Sequence, residues 1–347
     1  MTPLRAGVIG VGHLGQHHAR LYAALPEAQL IGVTDQSVAR ARTIADRHGV
    51  RVFLTADELL PHVDVVSVAV PTSGHYDVAK ACLQAGRHVL IEKPIAATPI
   101  EAQELVQLAK QRGCCVQVGH SERFNPVMAL MRPYIGQPVF IECHRLSSFS
   151  ERGTDVDVVL DLMIHDLDVL LATVGSEVES VEAVGVNVLT PRVDIANARL
   201  RFASGCVANV TASRISRARV RKARFFQHDA YISIDYAAQE LEVYRLAPHP
   251  STHSTSSGST VSLVERSTGA RGGLSTVEGQ NGSRPTIQGG RIEIESDEPL
   301  RRELDDFICA VRDRRPPVVT GRDGRAALAL ANRIAELISK QGPVASV

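Results

Sequence analysis

The 347-residue sequence has no tryptophan, only 4% aromatic residues and no excess of charge of either sign. Lys and Arg together number 38, and so do Asp and Glu, so the chain as a whole has no electrostatic attraction to nucleic acid or to an anionic membrane. No apolar run approaches the roughly 18 residues of a membrane span, and no signal-peptide pattern precedes the first glycine-rich turn. We therefore expect a cytoplasmic protein that binds neither nucleic acid nor membrane.

The six cysteines contain no CxxC spacing, which fits reduced thiols better than a disulfide framework or a zinc site. We therefore expect no bound metal. A hydrophobic content of 44% is typical of a globular protein, so the chain as a whole is not disordered. At roughly 150 residues per domain, the length allows about two domains.

Short apolar strands alternate with amphipathic helices over the first 118 residues, which predicts a doubly wound parallel α/β sheet of six strands, the Rossmann architecture. From about Val139 strands follow one another, interrupted by one helix near residues 159–174. This pattern predicts a second α+β domain on a largely antiparallel open sheet. We place the domains at 1–120 and 121–297, with helices in 298–347 packing back on the body. A Ser/Thr/Gly-rich stretch, 248–290, is expected to be flexible.

The strongest local motif is the glycine pattern between the first strand and the first helix, Gly10-Val-Gly12-His13-Leu14-Gly15. In a dinucleotide fingerprint the first glycine permits a tight turn, the second lets backbone amides approach a pyrophosphate, and the third lets the helix lie close to the strand. Because strand, turn and helix follow in the required order, the sequence predicts a dinucleotide cofactor here.

Asp35 lies 20 residues after Gly15, at the end of the second predicted strand. A carboxylate at this place binds the adenosine ribose hydroxyls and repels a 2′-phosphate, so NAD is favoured over NADP. Arg40 is close enough in sequence to weaken that preference. An alternative role for Asp35 is to cap the helix that starts near Val38.

Lys93 follows the fifth strand, at the carboxyl edge where doubly wound sheets bind ligands. A cation beside a nicotinamide can hydrogen-bond a reacting hydroxyl oxygen and favour its alkoxide character. The alternative is a surface lysine paired with Glu92.

Asp161 and His165 are four residues apart in a predicted helix, so their side chains share one face. A histidine titrates near neutral pH and can remove a hydroxyl proton, while a carboxylate beside it orients the ring and stabilises its charged form. Both residues can equally be ordinary polar groups on a helix face. We expect Asp166 and Asp168 to be surface charges of this helix.

The glycine fingerprint, "VPTSGH" (residues 70–75), "EKP" (92–94) and "DLMIHDLD" (161–168) together resemble the glucose-fructose oxidoreductase and inositol dehydrogenase family, Gfo/Idh/MocA. The resemblance covers most of the chain outside the Ser/Thr/Gly-rich stretch. It implies NAD as cofactor and catalytic roles for Lys93, Asp161 and His165. Position and resemblance together predict cofactor contacts from Gly10, Gly12, His13, Leu14, Gly15, Asp35, Pro71, Thr72, His75, Glu92 and Lys93.

"VGHSERFNP" (118–126) leaves the sixth strand and is expected to form the hinge into the second domain. The family has an aromatic-rich, Arg-containing loop there, so Arg123 and Asn125 are candidate substrate contacts beside Lys93 and His165. Alternatively, Arg123 and Asn125 only fix the interdomain turn. His120 departs from the aromatic residue often found at its place.

A basic run lies in the strand region of the second domain. If this run is one strand, residues 217, 219 and 221 share a face and can neutralise the diphosphate of a nucleotide sugar. The alternative is a solvated or subunit-facing side of an open sheet. The run consists of Arg214, Arg217, Arg219, Arg221, Lys222 and Arg224.

Within the family, residues 118–126 and 220–236 are most similar to bacterial UDP-N-acetylglucosamine 3-dehydrogenases. This similarity implies oxidation of the sugar at C3 to a 3-keto nucleotide sugar, which a downstream aminotransferase would consume. Two alternatives stay open: a dehydrogenase of a free polyol, a hexose or a UDP-sugar acid, and a non-catalytic NAD-binding regulator. The open sheet predicts a homodimer or homotetramer.

Overall fold

The computed structural model describes residues 2–150, 156–246, 275–277 and 287–340, with the side chains of 275–277 excepted. Its first part is a six-stranded parallel sheet in the order β3-β2-β1-β4-β5-β6, which confirms the doubly wound α/β prediction. The elements are β1 (Leu4–Ile9), α1 (Gly15–Ala24), β2 (Ala28–Thr34), α2 (Val38–His48), β3 (Arg51–Val52), α3 (Ala56–Leu59), β4 (Val65–Val68), α4 (His75–Gln84), β5 (His88–Glu92), α5 (Pro99–Arg112) and β6 (Val116–Gly119).

The central strands of this sheet are buried on both faces, as their apolar sequences predict. All four residues of β4 are buried, because helices cover both sides of a doubly wound sheet. The chain order places the carboxyl ends of β1, β4 and β5 side by side at one edge. Each of the candidate cofactor segments follows one of these strands or β2, so the sheet topology brings them together.

The second part is a nine-stranded mixed sheet in the order β14-β15-β13-β12-β11-β7-β10-β9-β8, antiparallel except for the β7–β10 pair. The largely antiparallel sheet is therefore confirmed. Its elements, with the short helix before them, are α6 (Pro126–Met131), β7 (Phe140–Leu146), α7 (Ile164–Val174), β8 (Val178–Val186), β9 (Ile195–Phe202), β10 (Val207–Ser213), β11 (Val220–Phe226), β12 (Ala230–Asp235), β13 (Glu240–Leu246), β14 (Ser275–Val277) and β15 (Ile287–Ile292).

Two strands fall in the stretch 248–290 that was expected to be flexible. β14 and the first four residues of β15 lie inside it, so part of the stretch forms strands; residues 247–274 and 278–286 lie outside the described residues. A Cβ on Gly289 would lie 2.0 Å from the carbonyl oxygen of Val243 on β13. The glycines that indicated a loop are thus consistent with close backbone approach in a strand.

Two C-terminal helices, α8 (Pro299–Arg312) and α9 (Gly321–Lys340), complete the structure. α8 adds Leu304 and Phe307 to the core of the parallel sheet. α9 packs on α5 and β6 and also on α7 and β8, and a Cβ on its Gly324 would lie 2.6 Å from Val118. α9 therefore bridges the two sheets. Among the described helices, none is both long and apolar enough to span a membrane.

Candidate active site

The glycine turn after β1 has the geometry that the fingerprint predicts. Gly10 has a φ of +85°, and a Cβ on Gly15 would lie 1.8 Å from the Gly10 carbonyl oxygen, so α1 presses against the turn. At Gly12, by contrast, a Cβ would meet only the Arg40 side chain, at 3.8 Å. The turn thus combines a tight inner side with an open outer side, where a ligand can approach the backbone.

A cavity of about 760 Å³ opens on this turn at the carboxyl edge of the parallel sheet. Its volume lies within the usual range for a ligand pocket. It also includes Leu54 and Thr55, after β3, which the sequence analysis did not select. Leu54 is 65% exposed, and an apolar residue just after a strand at this edge is the signal that could have found it. Of the predicted cofactor residues, the cavity is lined by Gly10, Gly12, His13, Leu14, Asp35 and Pro71.

Asp35 connects the end of β2 to the glycine turn by hydrogen bonds. Its carboxylate accepts hydrogen bonds from the backbone amides of Val11 at 2.9 Å and Ser37 at 2.8 Å, and Arg40 lies 3.4 Å away. The alternative role as helix cap is wrong, because the side chain of Ser37 caps α2. A fixed carboxylate beside the cavity fits NAD and repels a 2′-phosphate.

Replacing Asp35 by alanine should narrow the preference for NAD over NADP. The change removes both the acceptors for the ribose hydroxyls and the charge that opposes the phosphate. Dissociation constants for NAD and NADP, measured by calorimetry on native protein and the variant, test this expectation. Tighter binding of NADP than of NAD by the native protein would contradict it.

The side chain of Lys93 extends from the end of β5 to the helical turn Val159–Met163, which precedes α7 in the second part of the protein. Its Nζ donates hydrogen bonds to the carbonyl oxygen of Asp161 at 2.6 Å and to Asp161 Oδ1 at 3.3 Å. The lysine side chain is only 16% exposed. The alternative of a surface lysine paired with Glu92 is therefore wrong, because Asp161 holds Lys93. The predicted role of Asp161 in orienting His165 stays a prediction.

Glu92 is turned into the protein interior. Its Oε1 lies 2.8 Å from His18 Nε2, and its Oε2 accepts a hydrogen bond from the backbone amide of Lys93 at 3.2 Å. Burial alone would raise the pKa of Glu92, but the hydrogen bond and charge of His18 outweigh it and hold that pKa below the ordinary value. His18, three residues after Gly15, was not selected from the sequence; with Glu92 it fixes the backbone that carries Lys93.

Two further predicted cofactor residues lie after β4. His75 is buried, with Nδ1 2.7 Å from the carbonyl oxygen of Pro94 and Nε2 2.9 Å from that of Val70. Both ring nitrogens thus face backbone carbonyls and tie the segment after β4 to the one after β5. Thr72 lies in the short turn that precedes α4. Cofactor contacts from Thr72 and His75 stay predictions.

Asp161 and His165 lie on either side of a change in helical geometry. Residues 159–163 form a π-helical turn, and α7 continues from Ile164 as a regular helix. Such turns are frequent at functional sites. His165 is half-buried and its Nδ1 fully buried. Burial first, and then the charges of Lys93 and Arg145, lower the pKa of His165 well below 6.5, so the ring is neutral at pH 7 and can accept a proton.

The expectation that Asp166 and Asp168 are surface charges is wrong. Each is only 2% exposed. Asp166 accepts two hydrogen bonds of 2.9 Å from Arg145, and Asp168 lies 3.4 Å from Arg123. The arginine partners come from β7 and from the turn after β6, and their long sequence separation hides these pairs from a local pattern.

Arg123 and Asn125 hold the turn between the two sheets. Arg123 contacts Asp168 and the carbonyl of Val318, whereas Asn125 is buried and donates a hydrogen bond of 3.0 Å to the carbonyl of Tyr236. These contacts favour the alternative in which both residues fix the interdomain turn. The expectation of a substrate contact from Asn125 is corrected, because its polar atoms are engaged inside the protein.

The basic run is divided by the fold, since β11 begins only at Val220. Arg217 and Arg219 are exposed in the loop before the strand, and Arg214 is buried near Asp194. Lys222 and Arg224 lie on the outer face of the sheet and pair with Asp235 and Glu142. Of the three basic residues on β11, Arg221 alone faces inward, beside Arg145 on β7.

Comparison with known proteins defines the class. A model of an oxidoreductase family with an NAD-binding Rossmann fold matches residues 4–120, and the C-terminal domain model of the GFO/IDH/MocA family matches residues 131–233. The chain therefore belongs to this family of NAD-binding oxidoreductases, which confirms the resemblance and the cofactor class inferred from the sequence.

Within that family the chain is similar to proteins of known activity. It is 37% identical over 335 residues to a UDP-N-acetylglucosamine 3-dehydrogenase from Acidithiobacillus ferrooxidans, covering 96% of this chain and 97% of the relative. A solved structure from that organism, covering 98% of this chain and 99% of its own, gives a TM-score of 0.85 at 35% identity. A myo-inositol 2-dehydrogenase from Thermotoga maritima is 28% identical, covering 94% of both chains.

Proposed function

We propose that the protein oxidises a nucleotide-sugar hydroxyl with NAD, converting C3 of UDP-N-acetylglucosamine to the 3-keto sugar. The observation that carries the reaction type is the contact of Lys93, after β5, with Asp161, which lies four residues before His165, whose pKa the charge of Lys93 lowers. NAD, when bound, supplies the acceptor for the hydride. The glycine turn and Asp35 would hold its pyrophosphate and ribose.

The side chains around the reacting oxygen have separate tasks. Lys93, held by Asp161, donates a hydrogen bond to the sugar hydroxyl oxygen and stabilises the negative charge that develops on it. Neutral His165 takes the hydroxyl proton. Glu92 and His18 fix the backbone of Lys93 from behind, so the ammonium group is positioned before the sugar arrives. The proposed reaction therefore needs Lys93 from the parallel-sheet part together with Asp161 and His165 from the second part.

The environment of Arg221 favours the proposal that the substrate is anionic. It is 36% exposed, and its ion pair with Glu122 Oε1 is 3.7 Å long, whereas Arg145 binds the same oxygen at 2.9 Å. Burial and the neighbouring charge of Arg145 lower the pKa of Arg221. An anion beside Arg221 would relieve this repulsion, and a diphosphate offers the oxygens that an arginine binds best.

The loop before β11 adds to this positive region. Arg219 is exposed two residues before Arg221, and its charge contributes to the lowered pKa of Arg221. We assign the diphosphate of the nucleotide sugar to Arg221 and Arg219. A free polyol has no anionic group for them, and the similarity to a UDP-N-acetylglucosamine 3-dehydrogenase points the same way.

Binding of UDP alone separates the nucleotide-sugar proposal from its alternatives. Calorimetry of the protein saturated with NAD should show saturable binding of UDP, and inositol should not compete. Inositol oxidation without UDP binding would favour the polyol alternative. Tight NAD binding without turnover of any sugar would favour the non-catalytic NAD-binding regulator. The presence of both Lys93 and His165 argues against that alternative.

We also propose that the outer face of the nine-stranded sheet is the contact between subunits of a homodimer or homotetramer. Four aromatic rings lie in a row across it, with neighbouring centroids 5.1 to 6.1 Å apart. An aromatic row on an open sheet face is the kind of surface that a second subunit covers. The rings belong to Phe140, Phe226, Tyr231 and Tyr244.

Replacing Tyr231 by aspartate should separate the subunits, because the change places a charge in the middle of the aromatic row. Light scattering at micromolar concentration should give an oligomer for the native chain and a monomer for the variant. A native monomer would rule the proposal out.

We place the enzyme in the cytoplasm, where an aminotransferase would consume the 3-keto product.

A further inference from the structure

Behind His165 lies a group of buried polar atoms that have no hydrogen-bond partner among the described residues. They come from β6 and the residue after it, from α7 and from α8. Members of the group are neighbours, since the His120 and His165 rings lie edge to face and Gln117 donates a hydrogen bond to the carbonyl oxygen of Glu303. The atoms are Gln117 Oε1, both ring nitrogens of His120, His165 Nδ1, Asp168 Oδ2 and both carboxyl oxygens of Glu303.

Unpaired buried polar atoms destabilise a protein, so several together favour internal water over dry packing. Apolar side chains cannot form hydrogen bonds with these atoms, whereas water molecules can bridge donors to acceptors. Water molecules behind His165 would bridge these atoms, and the His120 ring is in contact with the His165 ring. The two histidine rings are edge-to-face with centroids 6.2 Å apart.

Oxidation of the sugar creates a proton that His165 cannot keep. Burial and the charges of Lys93, Arg145, His120 and Arg221 lower the pKa of His165 well below 6.5. In the proposed function, Nε2 of the ring faces the sugar hydroxyl. The buried Nδ1, however, faces the interior and has no partner among the described residues.

We propose that His120, together with Asp168, accepts the substrate proton from His165 through water. The sugar O–H bond breaks and an Nε2–H bond forms on His165, while the sugar C–H electron pair leaves with the hydride to NAD. The Nδ1–H bond of His165 then breaks, and its proton passes to His120. His165 is neutral before and after the step, with its proton now on Nε2. After the product leaves, Nε2 gives this proton to solvent and Nδ1 takes one from solvent, which restores the starting tautomer. The inference rests on the proposed function, in which His165 is the base.

The charges around His120 fit a temporary proton acceptor. Asp168 favours the charged form of the His120 ring, and Glu92 does so more weakly, whereas Lys93 and Arg123 oppose it and burial lowers the pKa of His120 most. Such a ring takes a proton without holding it strongly. The other titratable groups facing this region are His165 on α7, Glu303 on α8 and Asp323 on α9.

An exit for the proton lies beyond Asp168. Its partner Arg123 lines an open cavity of about 790 Å³ between the turn after β6, α6, α7 and α8. This cavity shares no lining residue with the cavity at the glycine turn, so it offers the proton a separate route while the cofactor occupies the site. Neither His120 nor Asp168 touches the substrate; both are positioning residues that act through His165.

Two substitutions of His120 test the relay. His120→Phe keeps the ring and His120→Gln keeps hydrogen-bonding capacity, and neither accepts a proton at neutral pH. Both should leave the dissociation constant of NAD and the KM of the sugar near native while lowering kcat by about tenfold or more. The solvent deuterium isotope effect on kcat should rise in both, because proton release becomes rate-limiting.

Gln117→Leu is the matched control, since it removes a polar side chain from the same region without removing an acceptor for the proton. It should change thermal stability but not the isotope effect. Native kcat and isotope effect in both folded His120 variants would overturn the relay. If His165→Asn also kept native turnover, the proposed function itself would fail, so the two failures are distinguishable.

Discussion

Replacing Lys93 by methionine or His165 by asparagine should lower turnover about 10²- to 10⁴-fold while NAD affinity stays near native. Lys93 stabilises charge on the sugar oxygen and His165 takes its proton, so both act mainly on the transition state. Lys80→Met, on α4, is the control for loss of a lysine and should keep native turnover. Turnover that survives the loss of both Lys93 and His165 would place the chemistry elsewhere.

The geometry of Asp161 sharpens this prediction. Because its contacts are to Lys93, Asp161→Asn should lower kcat through misplacement of that lysine. In a Lys93→Met background the same substitution should have little further effect, since residues that act as a unit are not additive. Equal, additive losses in a double-mutant cycle would instead assign Asp161 an independent role.

The pH profile follows from the environment of His165. Its lowered pKa means that the ring stays unprotonated below pH 6.5, so kcat/KM for oxidation should remain flat through neutral pH and fall only on the acid side. The acid limb should disappear in His165→Asn, because the residual rate of this variant no longer depends on protonation of a histidine at this position. An unchanged acid limb in that variant would assign the titration to another residue.

The second large effect is expected at Arg221. Arg221→Met should raise the KM for UDP-N-acetylglucosamine by about 10- to 100-fold and weaken UDP binding to the same extent, since a charge-assisted hydrogen bond is worth about 1.5 to 3 kcal/mol. NAD affinity should not change. Arg47→Met, at the exposed end of α2, is the control and should leave both constants native. A native KM in Arg221→Met would remove Arg221 from the diphosphate site.

Most of the parallel sheet could be predicted because its signals are local. A strand, a glycine turn and a helix follow one another around Gly12, and Asp35 stands at a fixed distance in sequence. The long-range contacts could not be predicted this way. Arg145 meets Asp166 across 21 residues, and His18 meets Glu92 across 74. A local pattern shows only that such residues are polar, not that they are buried against each other.

The same limit explains the candidate site. Lys93 and His165 were selected from motifs, but the contact of Lys93 with Asp161 arises only when the end of β5 meets the π-helical turn before α7. At Gly289 the sequence signal was ambiguous, because glycine marks loops as well as strands whose backbones approach closely. Arg221 was found within a basic run, yet its inward direction depends on where β11 begins.

The formation of reduced nicotinamide from NAD and UDP-N-acetylglucosamine tests the central claim most directly. Purified protein should produce reduced nicotinamide and a 3-keto nucleotide sugar in equal amounts, and Lys93→Met should not do so above about 1% of the native rate. UDP-glucose, inositol and a UDP-sugar acid complete the panel. Reduction of NAD with inositol but with no UDP-sugar, or with none of these compounds, would contradict the account.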